Sequence, residues 1–111
     1  MDVKNFAALA RFDTSKMAKV NLFETDRFFM DLYCLLPGQK QEVHSHAAND
    51  KVYAVLRGEV RAVVGDESRT LHEGETTLAP AGAPHGVFND SKNESVLLVF
   101  MAPHPKPRTN F

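Results

Sequence analysis

The chain has 111 residues, 43% of them apolar, and a formal net charge of −1. That length makes one domain and is too short for two. The near-neutral balance lacks the basic excess that nucleic acid or an anionic membrane would need in a partner. A single cysteine, Cys34, excludes an intrachain disulfide and reads as a small buried hydrophobe. The first twelve residues, MDVKNFAALARF, place Asp2 ahead of their only lysine, and their longest apolar run is Phe6–Ala10. This is shorter than the core of a signal peptide. No stretch approaches the ~20 apolar residues of a membrane helix. The expectation is a soluble cytoplasmic protein.

In chain order, the first candidate element is a short helix over Asn5–Arg11, too brief to organise a fold. Arg27–Leu36 (RFFMDLYCLL) alternates with period two, so Phe28, Met30, Leu32 and Cys34 share one face and Phe29, Asp31, Tyr33 and Leu35 the other. Pro37-Gly38 ends it. Val52–Leu56 is a short apolar strand closed by Gly58. Val60–Val64 leads into Gly65-Asp66, a hairpin turn, with Arg69–His72 as the return strand. Glu75–Ala79 is bounded by Gly74 and Pro80. Ser95–Ala102 (SVLLVFMA) is apolar enough to be buried on both faces. Turn signals about every 8–12 residues are the pattern of an all-β sandwich or barrel. The tail, PHPKPRTNF, is extended and proline-rich. It is expected on the surface, the other reading being a strap across the barrel anchored by Phe111. The domain expected is 1–111, with a core barrel over about 17–102 and the tail over 103–111.

Two spaced patterns carry the chemistry. The first runs Gly38, five residues, His44, Ser45, His46, four residues, Lys51, six residues, Gly58. The second runs Gly74, five residues, Pro80, Ala81, Gly82, two residues, His85, three residues, Asn89. In a strand, His44 and His46 at i and i+2 point to one side and could chelate one ion. His85 can reach the same interior from a neighbouring strand. Gly82 suits a tight turn with positive φ, stiffened by Pro80 and Pro84. Three neutral imidazoles packed in an apolar barrel would each need a hydrogen-bond partner, and one metal ion satisfies all three. His72 and His104 fit no spacing and are read as solvated.

These patterns resemble the two motifs of the cupin superfamily, G-x5-H-x-H-x(3,4)-E-x6-G and G-x5-P-x-G-x2-H-x3-N. The second matches at every fixed position, and the first at every position except Lys51, where the family has glutamate. The resemblance covers Gly38–Asn89, about half of the chain. It implies a single-domain cupin barrel, a double-stranded β-helix or jelly roll. It also implies a divalent metal (Fe, Zn, Ni, Mn, Cu or Co) on His44, His46 and His85, and a homodimer, with Phe28–Met30 and the N-terminus as candidate surface.

Lysine cannot replace the missing carboxylate, because a protonated amine has no lone pair to offer. Counting back from Gly58 gives Lys51 the inward slot, so Asp50 next to it would reach an ion only through a bulge near Ala47–Asn49. Three arrangements follow, in this order of expectation: three histidines with Lys51 turned aside, ligation by Asp50, or a metal-free pocket in which Lys51 points inward, weakens metal binding and pairs instead with an anionic substrate. The first resembles the three-histidine cupins, which include thiol and diketone dioxygenases. The function expected is a metal-dependent enzyme, dioxygenase- or isomerase-like, on a small polar molecule. The other reading is a non-catalytic module that binds or senses a small ligand. Phe28, Met30, Tyr53 and Val55, or their register partners, are the candidate pocket walls. Tyr53 is the one weak candidate for acid–base work.

Overall fold

A computed structural model describes residues 1–105 of the chain. Its order is α1 (Phe6–Leu9), β1 (Ala18–Glu24), β2 (Phe29–Leu35), β3 (Lys40–His44), β4 (Asp50–Arg57), β5 (Glu59–Val64), β6 (Glu67–His72), β7 (Thr76–Ala79), β8 (His85–Phe88) and β9 (Ser95–Ala102). The strands form two antiparallel sheets, β1-β2-β9-β4-β7 and β3-β8-β5-β6. They face each other around one lumen. Among the described residues no helix is long and apolar enough to cross a membrane.

β9, in the middle of the larger sheet, is largely buried on both faces, which is why it reads as continuous apolar sequence. Inward side chains Tyr33, Leu35, Tyr53, Val55, Leu97 and Val99 meet Val60, Ala62, Leu71 and Val87 of the smaller sheet. Each fully buried large apolar side chain contributes roughly 1.5–3 kcal/mol. Outward side chains Leu22, Leu32, Cys34 and Val96 form a second cluster, over which Ala10 and Phe12 of the N-terminal segment fold. Cys34 is a free, fully buried thiol there. The short helix is capped by the Asn5 side chain, which accepts from Ala8 N.

The alternation in β2 sorts the pocket walls. Phe28 and Met30 lie on the outer face, where Phe28 stacks on Phe100 at 5.3 Å between ring centroids. Their register partners Phe29, Asp31 and Tyr33 face inward with Tyr53 and Val55. The hydrophobic run Phe28–Met30 is therefore split between two faces.

Two elements lack a clean pattern in the sequence. β1 (AKVNLFE) breaks its alternation at a bulge between Asn21 and Phe23. β3 (KQEVH) is nearly all polar because it closes the barrel at an edge. It also shifts register between Gln41 and His44 where it pairs with β8. That shift brings the β3 backbone against Gly86. A Cβ at Gly86 would stand 2.7 Å from the Gln41 carbonyl oxygen and 3.0 Å from Val43 N. Only glycine fits without moving the strand.

Gly86→Ala is expected to lower stability by about 1–3 kcal/mol, the scale of overpacking. Urea denaturation followed by circular dichroism reads it. An unchanged midpoint would mean that β3 is not held so closely.

Candidate metal centre

Pairing of β3 with β8 sets His44 directly opposite His85. The two motifs are tied at both ends. Gly38 N donates to Asn89 O at 2.8 Å and Asn89 N to Gln39 O at 2.9 Å, while Gly82 N donates to His46 O at 2.8 Å. Asn89 is buried, and its side-chain amide donates to Leu35 O and Asn93 O. The motif glycine and asparagine thus clamp the strand pair, and the Gly82 turn, at φ +86°, carries the chain into His85. His46 lies two residues beyond the end of β3, so it reaches the cluster from a loop and not from the strand.

The three imidazoles converge. Their ring centroids are 4.9 Å (His44–His46), 4.5 Å (His44–His85) and 5.7 Å (His46–His85) apart. One nitrogen from each lies within 4.8 Å of the others. His44 Nδ1 is 2.8 Å from Glu42 O, and His85 Nδ1 is 3.0 Å from Ala83 O. A carbonyl oxygen only accepts, so each Nδ1 carries the hydrogen and each Nε2 keeps its lone pair. His85 is 1% exposed, and its Nε2 is buried with no hydrogen-bond partner. Burial pushes the His85 pKa down to about 4, helped by the Lys51 charge and the neighbouring histidines and opposed by the Ala83 carbonyl. Burial also lowers that of His46, followed by His44 and Lys51. Neutral imidazoles with free lone pairs are the state a metal binds. The donor set therefore fits a divalent ion, and a buried orphan nitrogen is hard to account for otherwise.

Lys51 is not turned aside. It is 1% exposed and points into the barrel. Its Nζ donates to Gln41 Oε1 at 3.1 Å and lies 5.3 Å and 5.4 Å from the ring centroids of Tyr33 and Tyr53. The favoured expectation fails because β4 keeps its register through Lys51, which pairs with Met101 on one side and Ala79 on the other. Burial lowers the Lys51 pKa to about 7, with Lys19 adding to the shift and Asp31 opposing it. The same register turns Asp50 outward. Its exposed carboxylate accepts from Ala81 N at 2.9 Å, and it is not among the clustered ligand atoms.

Beside the histidines lies a cavity of about 410 Å³, walled by Asp31, Tyr33, Gln41 and Lys51 and rimmed by Glu24 and His104. Gln41 is its hub. Its Oε1 also accepts from the Tyr53 hydroxyl at 2.8 Å, and its Nε2 donates to Tyr33 Oη at 2.9 Å. Tyr53 is committed to that bond, and burial drives its pKa far up, which removes it from acid–base work at neutral pH. Burial raises the carboxyl pKa of Asp31, which accepts from Asn21 Nδ2 at 2.9 Å.

His104 was expected in solvent, but its side chain is only 6% exposed. Nε2 sits 2.6 Å from a Glu24 oxygen and the ring packs edge-on against Phe29. The start of the tail, through Pro105, therefore lies over the cavity rim, and Asn49 Nδ2 holds Pro103 O at 2.7 Å. Phe111 lies outside the described residues. His72 is exposed beside Glu75, as expected. Sequence reasoning missed Gln41, Tyr33 and Asp31 as site residues. The signal available for two of them was a polar pair, Asp31 and Tyr33, on the inward face of β2.

Comparison with known proteins agrees with this geometry. The family model described as the cupin domain matches residues 31–101. TT1209 from Thermus thermophilus has a crystal structure that superposes with a TM-score of 0.93 at 50% identity, over 95% of this chain and 100% of that one. An RmlC-like cupin protein from Desulfovibrio desulfuricans gives a TM-score of 0.82 at 29% identity, over 94% and 98%. An uncharacterized protein of Streptomyces coelicolor is 35% identical over 72 residues, covering 65% of this chain and 68% of its own. Another from Aquifex aeolicus is 33% identical over 60 residues, and that match spans about half the length of each chain.

Lys51→Met is expected to leave the metal-free protein equally stable or more stable by about 1–2 kcal/mol, since an apolar isostere removes a costly buried charge. Thermal denaturation at pH 7 reads it. A loss of more than about 2 kcal/mol would make Lys51 a structural residue.

Proposed function

Because the chain belongs to the cupin domain family, we propose that it is a metal-dependent cupin whose ion is held by His44, His46 and His85, with no carboxylate ligand. The observation that carries this reading is the buried, partnerless Nε2 of His85 facing two further imidazoles within 4.8 Å. Fe, Zn, Ni, Mn, Cu and Co all suit such a site. The bound ion would supply Lewis acidity and a template for a small polar substrate, in oxygen-dependent cleavage or an isomerisation. The chain's own residues supply the rest. Phe29 and Met101 wall the cavity with apolar surface. Asp31, its carboxyl pKa raised by burial, is one group in the cavity able to take up and return a proton, at its carboxylate oxygens. Lys51 supplies positive charge when protonated.

A second reading, a module that binds a small ligand without turning it over, is favoured by one observation. The tyrosine nearest the histidines, Tyr53, spends its hydroxyl on Gln41. We also propose that two copies pair through the outer face of the larger sheet. Met30, Phe100, Val52 and Leu78 stand side by side across four strands there, and Leu78 is half-exposed.

Unsupplemented protein is expected to carry about one divalent ion per chain by elemental analysis, and His85→Ala to carry almost none. Equal metal in both would exclude the assignment. Oxygen uptake by iron-loaded protein on thiols or diketones would establish the oxygen-dependent form of the first reading, since neither a binding module nor an isomerase consumes any. Light scattering is expected to give a dimer that Leu78→Asp converts to a monomer. A monomeric wild type would remove the interface.

A further inference from the structure

We propose that Lys51 and Tyr33 form a carboxylate subsite beside the three histidines, and that the ligand of the cavity is a small organic acid bearing a second oxygen, of the 2-hydroxy acid class. The subsite rests on the metal-centre reading for that second oxygen.

The argument begins with hydrogen bonds left unspent. A protonated lysine only donates, so the oxygen of the Gln41 amide must face the Lys51 ammonium, and it does. The amide nitrogen must then face Tyr33, whose oxygen accepts from it. Accepting leaves the Tyr33 hydroxyl hydrogen without a use. Among the described residues it reaches no acceptor, although Tyr33 is 1% exposed. Lys51 spends one of its three N–H groups, on Gln41. The Lys51 ammonium lies 5.3 Å from the Tyr33 ring centroid, so these unspent donors are neighbours in one cavity wall.

Charge narrows the class of ligand. Among the described residues no carboxylate forms an ion pair with Lys51. Asp31 attracts it from a distance, and its carboxylate accepts from Asn21. Glu24 at the rim is paired with His104. A buried ammonium with a single neutral acceptor is costly, and a bound anion would favour the charged form. A neutral carbonyl could fill one donor but would not offset the charge. Two donors side by side match the two oxygens of a carboxylate. The cavity, at about 410 Å³, lies near the low end for ligand pockets and suits a compact molecule. An acid whose carboxylate sits on Lys51 and Tyr33 would carry its second oxygen toward His44 and His46, which line the same cavity.

The test compares glycolate with its neutral isostere glycolamide, each titrated calorimetrically into cobalt-loaded protein while the visible spectrum reports the ion. Wild type is expected to prefer glycolate. Lys51→Gln is expected to reduce that preference about 10- to 100-fold, the range of a hydrogen bond to a charged group. Tyr33→Phe, which keeps the ring, is expected to reduce it about 3- to 10-fold. Both variants should keep the wild-type cobalt spectrum, which also verifies their fold. Cobalt-loaded protein whose preference survives both substitutions, or which binds no glycolate, overturns the subsite and leaves the metal centre standing. Protein that takes up no cobalt brings down the metal centre, and the chelating ligand with it.

Discussion

The pairing of β3 with β8 is the constraint on which the site depends. It places His44 across from His85, positions the loop that carries His46, and brings Gln41 beneath the tyrosines. The pair has little apolar drive of its own, since β3 is mostly polar and half-exposed. Ladder and clamp hydrogen bonds hold it instead, together with the missing side chain at Gly86. A barrel edge defined by backbone fit and not by side-chain burial tolerates polar ligands at that point. This explains how three imidazoles can face one spot without disturbing the core below them.

The lumen is divided along its length. At one end Leu35, Val55, Val60 and Leu97 pack as an ordinary apolar core. At the other, Lys51, His85 and two tyrosine hydroxyls are buried in a network centred on one glutamine. Such a network lowers stability unless every donor and acceptor is matched. Here the mismatches are few and adjacent: an orphan His85 nitrogen, a spare tyrosine hydrogen and an under-used ammonium. Their adjacency is the observation from which the proposed cation and anion sites are argued. The motif that the chain resembles has glutamate where this chain has Lys51. Lysine in that place offers no ligand and brings a positive charge in place of a negative one, which is why the proposed site pairs a three-histidine ion with a receptor for an anion.

Much of this was legible in the sequence. The glycine, proline and asparagine spacings pointed to the fold because each marks a turn or clamp that the barrel requires. Ser95–Ala102 was correctly bounded because burial on both faces leaves an unbroken apolar run. The three histidines were found by spacing, and the structure brings them together. What was not legible depended on register and on contacts distant in sequence. Counting from Gly58 put Lys51 inward, yet the expectation of a lysine turned aside outweighed the count; a cradle of two aromatic rings and an amide makes burial tolerable. Gln41 gave no signal, because a glutamine in a polar strand looks solvated until its partners are known. His104 looked solvated for the same reason, its partner Glu24 being distant in the chain.

The account stands on three imidazole nitrogens sharing one ion. The most direct measurement is an anomalous difference map from a crystal of metal-loaded protein, collected at the absorption edge of the metal. One peak within about 2.0–2.2 Å of a nitrogen from each of His44, His46 and His85, with neither Asp50 nor Lys51 in its coordination sphere, is the result predicted. A peak elsewhere, or one bound by Asp50 in place of a histidine, would contradict it.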